Sequence, residues 1–415
     1  MSHEPFIKDS DVIDGLNIKY LKFFGLWKVI NDYRTTGNRN LFIKFKVFLT
    51  LFLAVPYVLC QYICYFFIKA DLQKATILNL HSLPALHICW KILIFWLRMD
   101  SQCRLLGLVR KDFIKVPKEK REAAKEIYEK ITKTANLFCV AAFILDSSVI
   151  IIAILFPGVS VDYILYHTGN VFDVTTGRKK ILAGWYPLPI NESPYYEMVL
   201  VYEAVLVGWG GMMLAVYDSL VCQSLMSLYA QYKVLGYHVS TLKIDSHSRR
   251  TKNGENNDSE MLKELKVILQ DHQRLLSYAN EMRSVYNPLV TIGLGIGIGV
   301  LIIAAVQYLF GKTGDPMFVF KSLQFLASEG LEVSIFCFGS SYLEEASSDL
   351  HFAIYSSDWY KAGTKFRKAA QMMMIRSKKG VTLTALKMYP ISLETLMSIF
   401  QFTYTTSALM SSMIE

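Results

Sequence analysis

The chain has 415 residues, of which 53% are hydrophobic and 19% are charged, and its formal net charge at pH 7 is +9. Soluble globular domains carry about 25% charged residues, so this composition excludes an ordinary soluble protein and indicates a membrane protein. We expect membrane lipid around the chain and no nucleic-acid partner.

Seven apolar stretches are long enough to cross a bilayer as helices, which takes about 20 residues each. The first of them, VFLTLFLAVPYVLCQYICYFFI, contains no charged residue. The predicted fold class is therefore an all-α membrane protein with seven transmembrane helices. The predicted spans, one to seven, are 47–68, 75–97, 135–156, 195–217, 288–309, 317–338 and 386–410.

Lys and Arg concentrate in alternate connecting segments, so the positive-inside rule predicts a cytoplasmic N-terminus and an extracellular C-terminus. This orientation is the reverse of that of a G-protein-coupled receptor, so a metabotropic receptor is the disfavoured alternative. The predicted organisation is a cytoplasmic N-terminal segment (1–46), spans one to four with a cytoplasmic loop at 98–134 (47–217), a cytoplasmic extension (218–287), spans five and six (288–338), a second cytoplasmic region (339–385) and the last span (386–415).

The cytoplasmic segments show two contrasting patterns. The loop 98–134 interleaves acids and bases at helical spacing, and the residues just before span five carry an apolar stripe, so both predict helices that extend the spans. These extensions either bundle within the chain or meet those of other subunits. The polar run near 243–259 has no apolar period and predicts a disordered linker. Pro288 is predicted in the first turn of span five.

Catalytic and metal-binding patterns are missing from the sequence. No His/Cys cluster has metal-ligand spacing and no Ser-His-Asp set can be assembled, so we expect neither an enzyme, nor a metal, nor a cofactor.

Charged residues inside the spans are the remaining clue. Lys91 lies near a span end and is predicted to reach the interface. For the deeper Asp146, Glu203 and Glu329, structural and functional roles both stay open.

The C-terminal third carries a specific pattern. Its members are Cys337-Phe338-Gly339 followed by serine, Tyr355 and Trp359, a basic and apolar helix from Phe366 to Ser377, and Pro390-x-Ser392-Leu393. This region resembles the signature region of insect odorant receptors. A gustatory receptor-type ligand-gated cation channel is the nearer alternative, and the Tyr355/Trp359 block favours the odorant branch.

The resemblance implies an odorant-gated, nonselective cation channel of four subunits in the cell membrane of olfactory sensory neurons. An odorant-specific subunit there pairs with the co-receptor Orco in a heterotetramer, and the cytoplasmic helix extensions form an intersubunit anchor. This chain resembles the odorant-specific subunit because its segment between spans four and five is shorter than that of the co-receptor.

The resemblance also implies a mostly apolar odorant pocket in the outer half of the bundle, formed by spans two to six. Such pockets use many apolar contacts and a few polar ones. For each residue alone, ordinary core packing is the competing explanation. The candidates are Leu78, His81, Ser82, Ser147, Ile150, Ile151, Met198, Tyr202, Leu206, Tyr308 and Phe320.

The last span, MYPISLETLMSIFQFTYTTSALMSS, places several hydroxyls along one helical face. Ser and Thr in membrane helices also bond their own backbone and aid packing, which is the competing explanation. The resemblance implies that this helix lines the pore. We then expect Thr403, Ser407 and Ser411 to face the conduction path, Ser407 and Met410 to lie at the gate, and Glu394 to attract cations.

Overall fold

The structure, a computed structural model, describes residues 7, 12, 15–37, 41–65, 72–158, 181–182, 186–189, 192–242, 254–311 and 316–412. These residues form eleven α-helices and one short β-hairpin. The helices are α1 (Leu16–Phe23), α2 (Leu26–Thr36), α3 (Leu41–Tyr65), α4 (Leu72–Leu97), α5 (Met99–Leu105), α6 (Arg121–Gly158), α7 (Tyr195–Ser240), α8 (Gly254–Gly311), α9 (Pro316–Ser356), α10 (Thr364–Ser377) and α11 (Leu393–Ser412). The hairpin pairs β1 (Thr384–Ala385) with β2 (Tyr389–Pro390).

The seven predicted spans fall in α3, α4, α6, α7, α8, α9 and α11, in that order. Among the described residues, five of these helices, α3, α4, α6, α7 and α8, are long and apolar enough to cross a membrane by length and composition. The remaining two, α9 and α11, carry acids and hydroxyls inside the predicted span, which lowers their hydropathy.

Helices α6 to α9 run well beyond the spans on the side predicted to be cytoplasmic. Their extensions pack on one another around a continuous apolar core that contains Leu228, Leu235, Ile268, Leu275 and Leu350, all fully buried. The extensions therefore bundle within a single subunit. Burial of this apolar surface, at roughly 25 cal/mol per Å², is the main force that holds this end of the bundle together.

The N-terminal helices are anchored rather than loosely attached. Leu21 of α1 and Leu26 and Ile30 of α2 are fully buried in a second core with α4, α5 and α7. Asn136 of α6 accepts a hydrogen bond from the backbone N–H of Leu16 at 2.8 Å, which satisfies a donor in the first turn of α1.

Two predictions about α8 are wrong. The helix begins at Gly254, so residues 254–259 of the predicted linker are helical, whereas 243–253 lie outside the described residues. Pro288 lies in the interior of this helix and not in its first turn. Adding residues to an existing helix is far easier than nucleating one, so a strongly amphipathic segment extends in both directions through polar residues and through one proline.

The prediction that the last helix starts near residue 386 is also wrong, because the hairpin occupies residues 384–390. Asn287 of α8 donates to the Thr384 hydroxyl at 2.8 Å and accepts from its backbone N–H at 3.2 Å. Ser340 of α9 accepts from the backbone N–H of Leu383 at 2.9 Å. These contacts fix the segment in an extended conformation, and α11 begins only at Leu393.

Candidate functional site

A cavity of about 150 Å³ lies between α4, α6, α7 and α9, in the half of the bundle predicted to be extracellular. A cavity of about this size holds a molecule such as benzene. α3 and the segment 181–182 complete the lining. The lining residues are Tyr57, Leu80, His81, Pro84, Ala85, Ile88, Asp146, Val149, Ile150, Ile152, Ile181, Leu182, Leu206, Val207, Gly210, Gly211, Leu214, Lys321, Gln324, Phe325, Ser328 and Glu329.

Backbone features of the lining helices explain why the space exists. Pro84, inside α4, cannot donate a hydrogen bond to the carbonyl of Leu80, and both residues line the cavity. Gly210 of α7 also lines it, and a Cβ added there would meet no atom within 4 Å. At the neighbouring Gly211, an added Cβ would come within 2.6 Å of Cδ1 of Ile150. Gly211 therefore permits the closest approach of α6 and α7 beside the cavity.

Two of the lining residues, Ile181 and Leu182, are held by Glu203 of α7. Glu203 is fully buried and accepts hydrogen bonds from the backbone N–H groups of Ile181 at 2.9 Å and Leu182 at 3.1 Å. Its other oxygen accepts from the hydroxyl of Tyr186 at 2.6 Å. The carboxylate therefore holds these two lining residues in place, which assigns a structural role to Glu203.

The α9 side of the cavity is polar. Ser328 of α9 donates to Asp146 of α6 at 2.7 Å, and Gln324 donates to Ser148 at 2.8 Å, so the two helices are joined by hydrogen bonds along the cavity wall. Buried polar groups joined in this way hold their helices in one relative position.

A buried ion network lies just below the cavity. Lys91 of α4 is 1% exposed, and its Nζ lies 2.6 Å from Oδ1 of Asp218 on α7 and 2.7 Å from Oε1 of Glu332 on α9. His87 Nε2 lies 3.6 Å from the same Glu332 oxygen. The prediction that Lys91 reaches the interface is therefore wrong, because two carboxylates hold its ammonium inside the bundle and join three helices.

Three side chains of this region could in principle hold a metal ion. His87, Glu329 and Glu332 each offer a ligand atom, and these atoms lie within 4.8 Å of one another. The Lys91 ammonium already pairs with Glu332 and would repel a divalent cation at the same oxygen. We assign no metal to this cluster.

The predicted ligand residues separate into two groups. His81, Ile150 and Leu206 line the cavity, and the His81 ring stacks edge-on against Phe325 with 6.0 Å between ring centroids. The other eight lie outside the lining, and α8 contributes no described residue to it. Those eight are Leu78 and Ser82, which are buried, Ser147, Tyr202 and Tyr308, which are half-buried, and Ile151, Met198 and Phe320, which are exposed on the bundle surface.

Helix α11 carries hydroxyl groups on two opposite faces. One face, which carries Leu396, Ile399, Thr403 and Ser407, is buried against the rest of the subunit. The opposite face forms a polar stripe with a spacing of three and four residues, and every side chain in it is exposed. The polar stripe consists of Glu394, Ser398, Gln401, Thr405 and Ser412, and the small residue Ala408 lies on the same face.

Thr403 and Ser407, which the sequence assigned to the conduction path, lie on the buried face. Ser407 donates to the backbone carbonyl of Thr403 at 2.6 Å, one turn earlier in the same helix. Glu394 lies in the polar stripe and Met410 is half-buried, while the side chain of Ser411 is outside the described residues. Both faces carry hydroxyls at the same period, so only the packing of α11 on α8 and α9 distinguishes them.

Known proteins share the sequence features and the fold of this chain. The sequence matches the 7tm Odorant receptor family over residues 79–404. It is 23% identical to Odorant receptor 22b of Drosophila melanogaster, over 59% of this chain and 60% of that protein. It is 21% identical to Odorant receptor 10 of Aedes albopictus, over 57% of this chain and 61% of that protein. The chain thus spans about three fifths of the length of these relatives.

The fold is similar to that of the insect olfactory receptor OR5 from Machilis hrabei. The TM-score is 0.75 over 95% of this chain and 97% of OR5, at 16% sequence identity. The complex of OR5 with eugenol matches with a TM-score of 0.74 over 95% of this chain and 98% of that one. The fold is therefore that of an insect olfactory receptor, an all-α membrane protein with seven spans. Because the family match extends over most of the sequence, the chain belongs to the 7tm Odorant receptor family of insect odorant receptors.

Proposed function

We propose that this chain is the odorant-binding subunit of a ligand-gated, nonselective cation channel. The cavity between α4, α6, α7 and α9 is the observation that carries the proposal, since its lining is mostly apolar and it has the size of a small volatile molecule. The match to OR5 in complex with eugenol, a small aromatic volatile, supports the same ligand size.

The polar stripe of α11 supports the channel part of the proposal. Gln401 and Thr405 lie at the middle of a helix predicted to span the membrane, on the face opposite its packing contacts. Exposed polar groups at membrane depth are unfavourable against lipid and are accommodated where they line a water-filled path. We infer that the polar stripe, and not the buried face with Thr403 and Ser407, lines the conduction path. Of the earlier gate candidates, Met410 follows Ser407 by three residues and lies on the same side of the helix as the buried face, where it is half-buried.

The subunit also carries exposed apolar residues outside the predicted spans, where lipid does not cover them. An apolar surface of this kind marks a protein interface. We propose that it joins the neighbouring subunits, including the co-receptor Orco, in a heterotetramer of the cell membrane of olfactory sensory neurons. The residues are Phe352, Tyr355, Tyr360, Met372 and Ile375.

Recording of current from cells that express the chain with and without Orco, under a panel of volatiles, tests the proposal. We expect current only in the co-expressing cells. Gly210→Leu places a side chain in the open space of the cavity and should abolish the response while leaving surface expression intact. Gly208→Leu is the matched control, because a Cβ at Gly208 also meets no atom within 4 Å and this glycine does not line the cavity.

Two results would contradict the proposal. An undiminished response of Gly210→Leu at several odorants would place the odorant site outside the cavity. An N-terminal epitope tag that antibodies reach from outside intact cells would reverse the predicted orientation and favour a metabotropic receptor.

A further inference from the structure

One carboxyl group in the cavity wall lacks a partner. Glu329 of α9 lines the cavity and is only 9% exposed, and no described residue donates a hydrogen bond to it or forms an ion pair with it. The neighbouring acids are satisfied, since Asp146 accepts from Ser328, and Asp218 and Glu332 share the Lys91 ammonium.

The position of Glu329 leaves the cavity as the side from which a donor can approach. Its Oε1 lies over Gly297 of α8, where an added Cβ would come within 2.7 Å of that oxygen. The backbone N–H of Gly297 belongs to the interior of a helix and is directed along it, so α8 offers the carboxyl no donor. Gly297 thus leaves space for the carboxyl group of Glu329 but gives it no hydrogen bond.

The charged groups around Glu329 also favour a ligand that donates a hydrogen bond to its carboxyl group. The acids Asp146, Asp218 and Glu332 surround it, and the basic groups nearby are Lys91, which is shared by two of these acids, and His87. Lys321 lines the same cavity and has an interaction of its own. A buried carboxyl without a donor is unfavourable, and a ligand that donates to it removes that penalty.

We propose that Glu329 recognises the head group of the odorant. The ligand class is a small, largely apolar volatile with a hydrogen-bond donor, and a protonated amine is preferred over a hydroxyl. This inference rests on the proposed function, because it takes the cavity as the odorant site. A site built around a buried hydrogen-bonding group rejects analogues that lack the matching group far more strongly than an apolar pocket rejects a change of shape.

A matched series of four ligands of nearly equal size tests the inference by direct binding to the purified full chain and by current in cells with the co-receptor. Benzylamine offers a charged donor, benzyl alcohol a neutral donor, benzaldehyde an acceptor only, and toluene neither. We expect affinity to fall in that order, with benzylamine bound roughly tenfold or more tightly than toluene, as for a hydrogen bond to a charged group.

Two substitutions of the carboxyl separate charge from hydrogen bonding. Glu329→Gln keeps the shape and an acceptor oxygen, so it should remove the advantage of benzylamine over benzyl alcohol. Glu329→Leu should remove the advantage of both donors over toluene. Replacement of an unpaired buried acid by an apolar residue of similar size is well tolerated, so the leucine variant keeps the test open if the glutamine variant fails to fold.

A third substitution acts on the carboxyl from outside the cavity lining. Gly297→Ala should push Oε1 aside and weaken benzylamine binding. Gly295→Ala on the same helix is the control, because Gly295 is exposed and an added Cβ there meets no atom within 4 Å.

The outcomes distinguish this inference from the proposed function. Donor recognition would be overturned if toluene and benzaldehyde bound and opened the channel as strongly as benzylamine does and Glu329→Leu had no effect. The cavity would then remain the odorant site. Failure of all four ligands to bind the folded wild-type chain, together with full current in Gly210→Leu under other odorants, would overturn both.

Discussion

The cavity and the last helix both hold polar groups at membrane depth, but for opposite reasons. Around the cavity, Lys91 and Glu203 are buried, and Lys91 pairs with Asp218 and Glu332 while Glu203 accepts hydrogen bonds from the Ile181 backbone and the Tyr186 hydroxyl. On α11, Gln401 and Thr405 are exposed on the face that points away from the subunit. Since lipid offers polar groups no hydrogen bonds, the second arrangement requires water or other subunits.

This difference bears on how ligand recognition and ion conduction are divided between the cavity and the last helix. Under the proposed function, ligand recognition is assigned to the cavity between α4, α6, α7 and α9. Under the same proposal, conduction is assigned to the assembly, in which the polar stripe would face a water-filled path shared by the subunits. Substitutions around the cavity should therefore change stability and ligand response, whereas substitutions in the polar stripe should change current.

The largest effect is expected at the ion network. Lys91→Met leaves the carboxylates of Asp218 and Glu332 buried without their cation, and removal of one partner from a buried ion pair costs about 3–5 kcal/mol. We expect loss of surface expression and a much lower unfolding temperature of the purified chain. Lys125→Met removes a lysine of an exposed pair with Glu122, and it should change stability by less than about 0.5 kcal/mol. Equal effects of the two substitutions would contradict the role of the network.

A smaller effect is expected at Glu203, which holds the lining residues Ile181 and Leu182. Glu203→Ala leaves the N–H groups of Ile181 and Leu182 and the hydroxyl of Tyr186 without their acceptor, which we expect to cost about 2–3 kcal/mol. Amide hydrogen exchange at Ile181 and Leu182 should accelerate, and odorant should dissociate faster. Tyr186→Phe removes one of the three hydrogen bonds and should give an intermediate result. Unchanged exchange in Glu203→Ala would show that other contacts hold the segment.

The next largest effect on stability and ligand response is expected from a change of cavity size at Gly211. Gly211→Ala brings a methyl group within 2.6 Å of the Ile150 side chain, and overpacking of this kind costs about 1–3 kcal/mol. Displacement of Ile150 into the cavity should lower the potency of larger odorants more than that of smaller ones. Gly208→Ala on the same helix is the control. A uniform loss of potency over all ligand sizes would indicate general destabilisation instead.

The smallest stability effect distinguishes the two faces of α11. The Thr403 hydroxyl is buried and makes no hydrogen bond within the described part of the chain. Thr403→Val replaces it by a methyl group of the same shape and should stabilise the chain by about 1 kcal/mol without changing single-channel conductance. Thr405→Val in the polar stripe should leave stability unchanged and lower conductance. The reverse pattern would exchange the roles of the two faces.

Much of the fold follows from local properties of the sequence. The all-α membrane fold with seven spans is predicted correctly because length and apolarity are properties of each segment by itself, although the last helix begins at Leu393. Pro288 and the hairpin are not, because their conformations depend on tertiary contacts such as those between Asn287 and Thr384. A segment that pairs with distant residues carries no periodicity of its own.

The cavity was predictable only in part. His81, Ile150 and Leu206 were assigned to it from the sequence, whereas Glu329 and Gly210 were not. Which residues of a membrane helix face a cavity depends on the rotation of the helix about its axis. That rotation is set by packing against neighbouring helices, and no single span encodes it. The depth of Glu329 in its span is the one signal in the sequence that indicates it, and Asp146 and Glu203 share that signal.

Accessibility of α11 to a water-soluble thiol reagent tests the central claim, that the polar stripe faces the conduction path, most directly. Single cysteines at Gln401 and Thr405 are compared with single cysteines at Thr403 and Ser407, while current is recorded from channels co-assembled with Orco and the unsubstituted chain reports on native cysteines. We predict that the reagent reduces current at 401 and 405 and has no effect at 403 and 407. Modification at 403 and 407 with silent 401 and 405 would contradict the assignment.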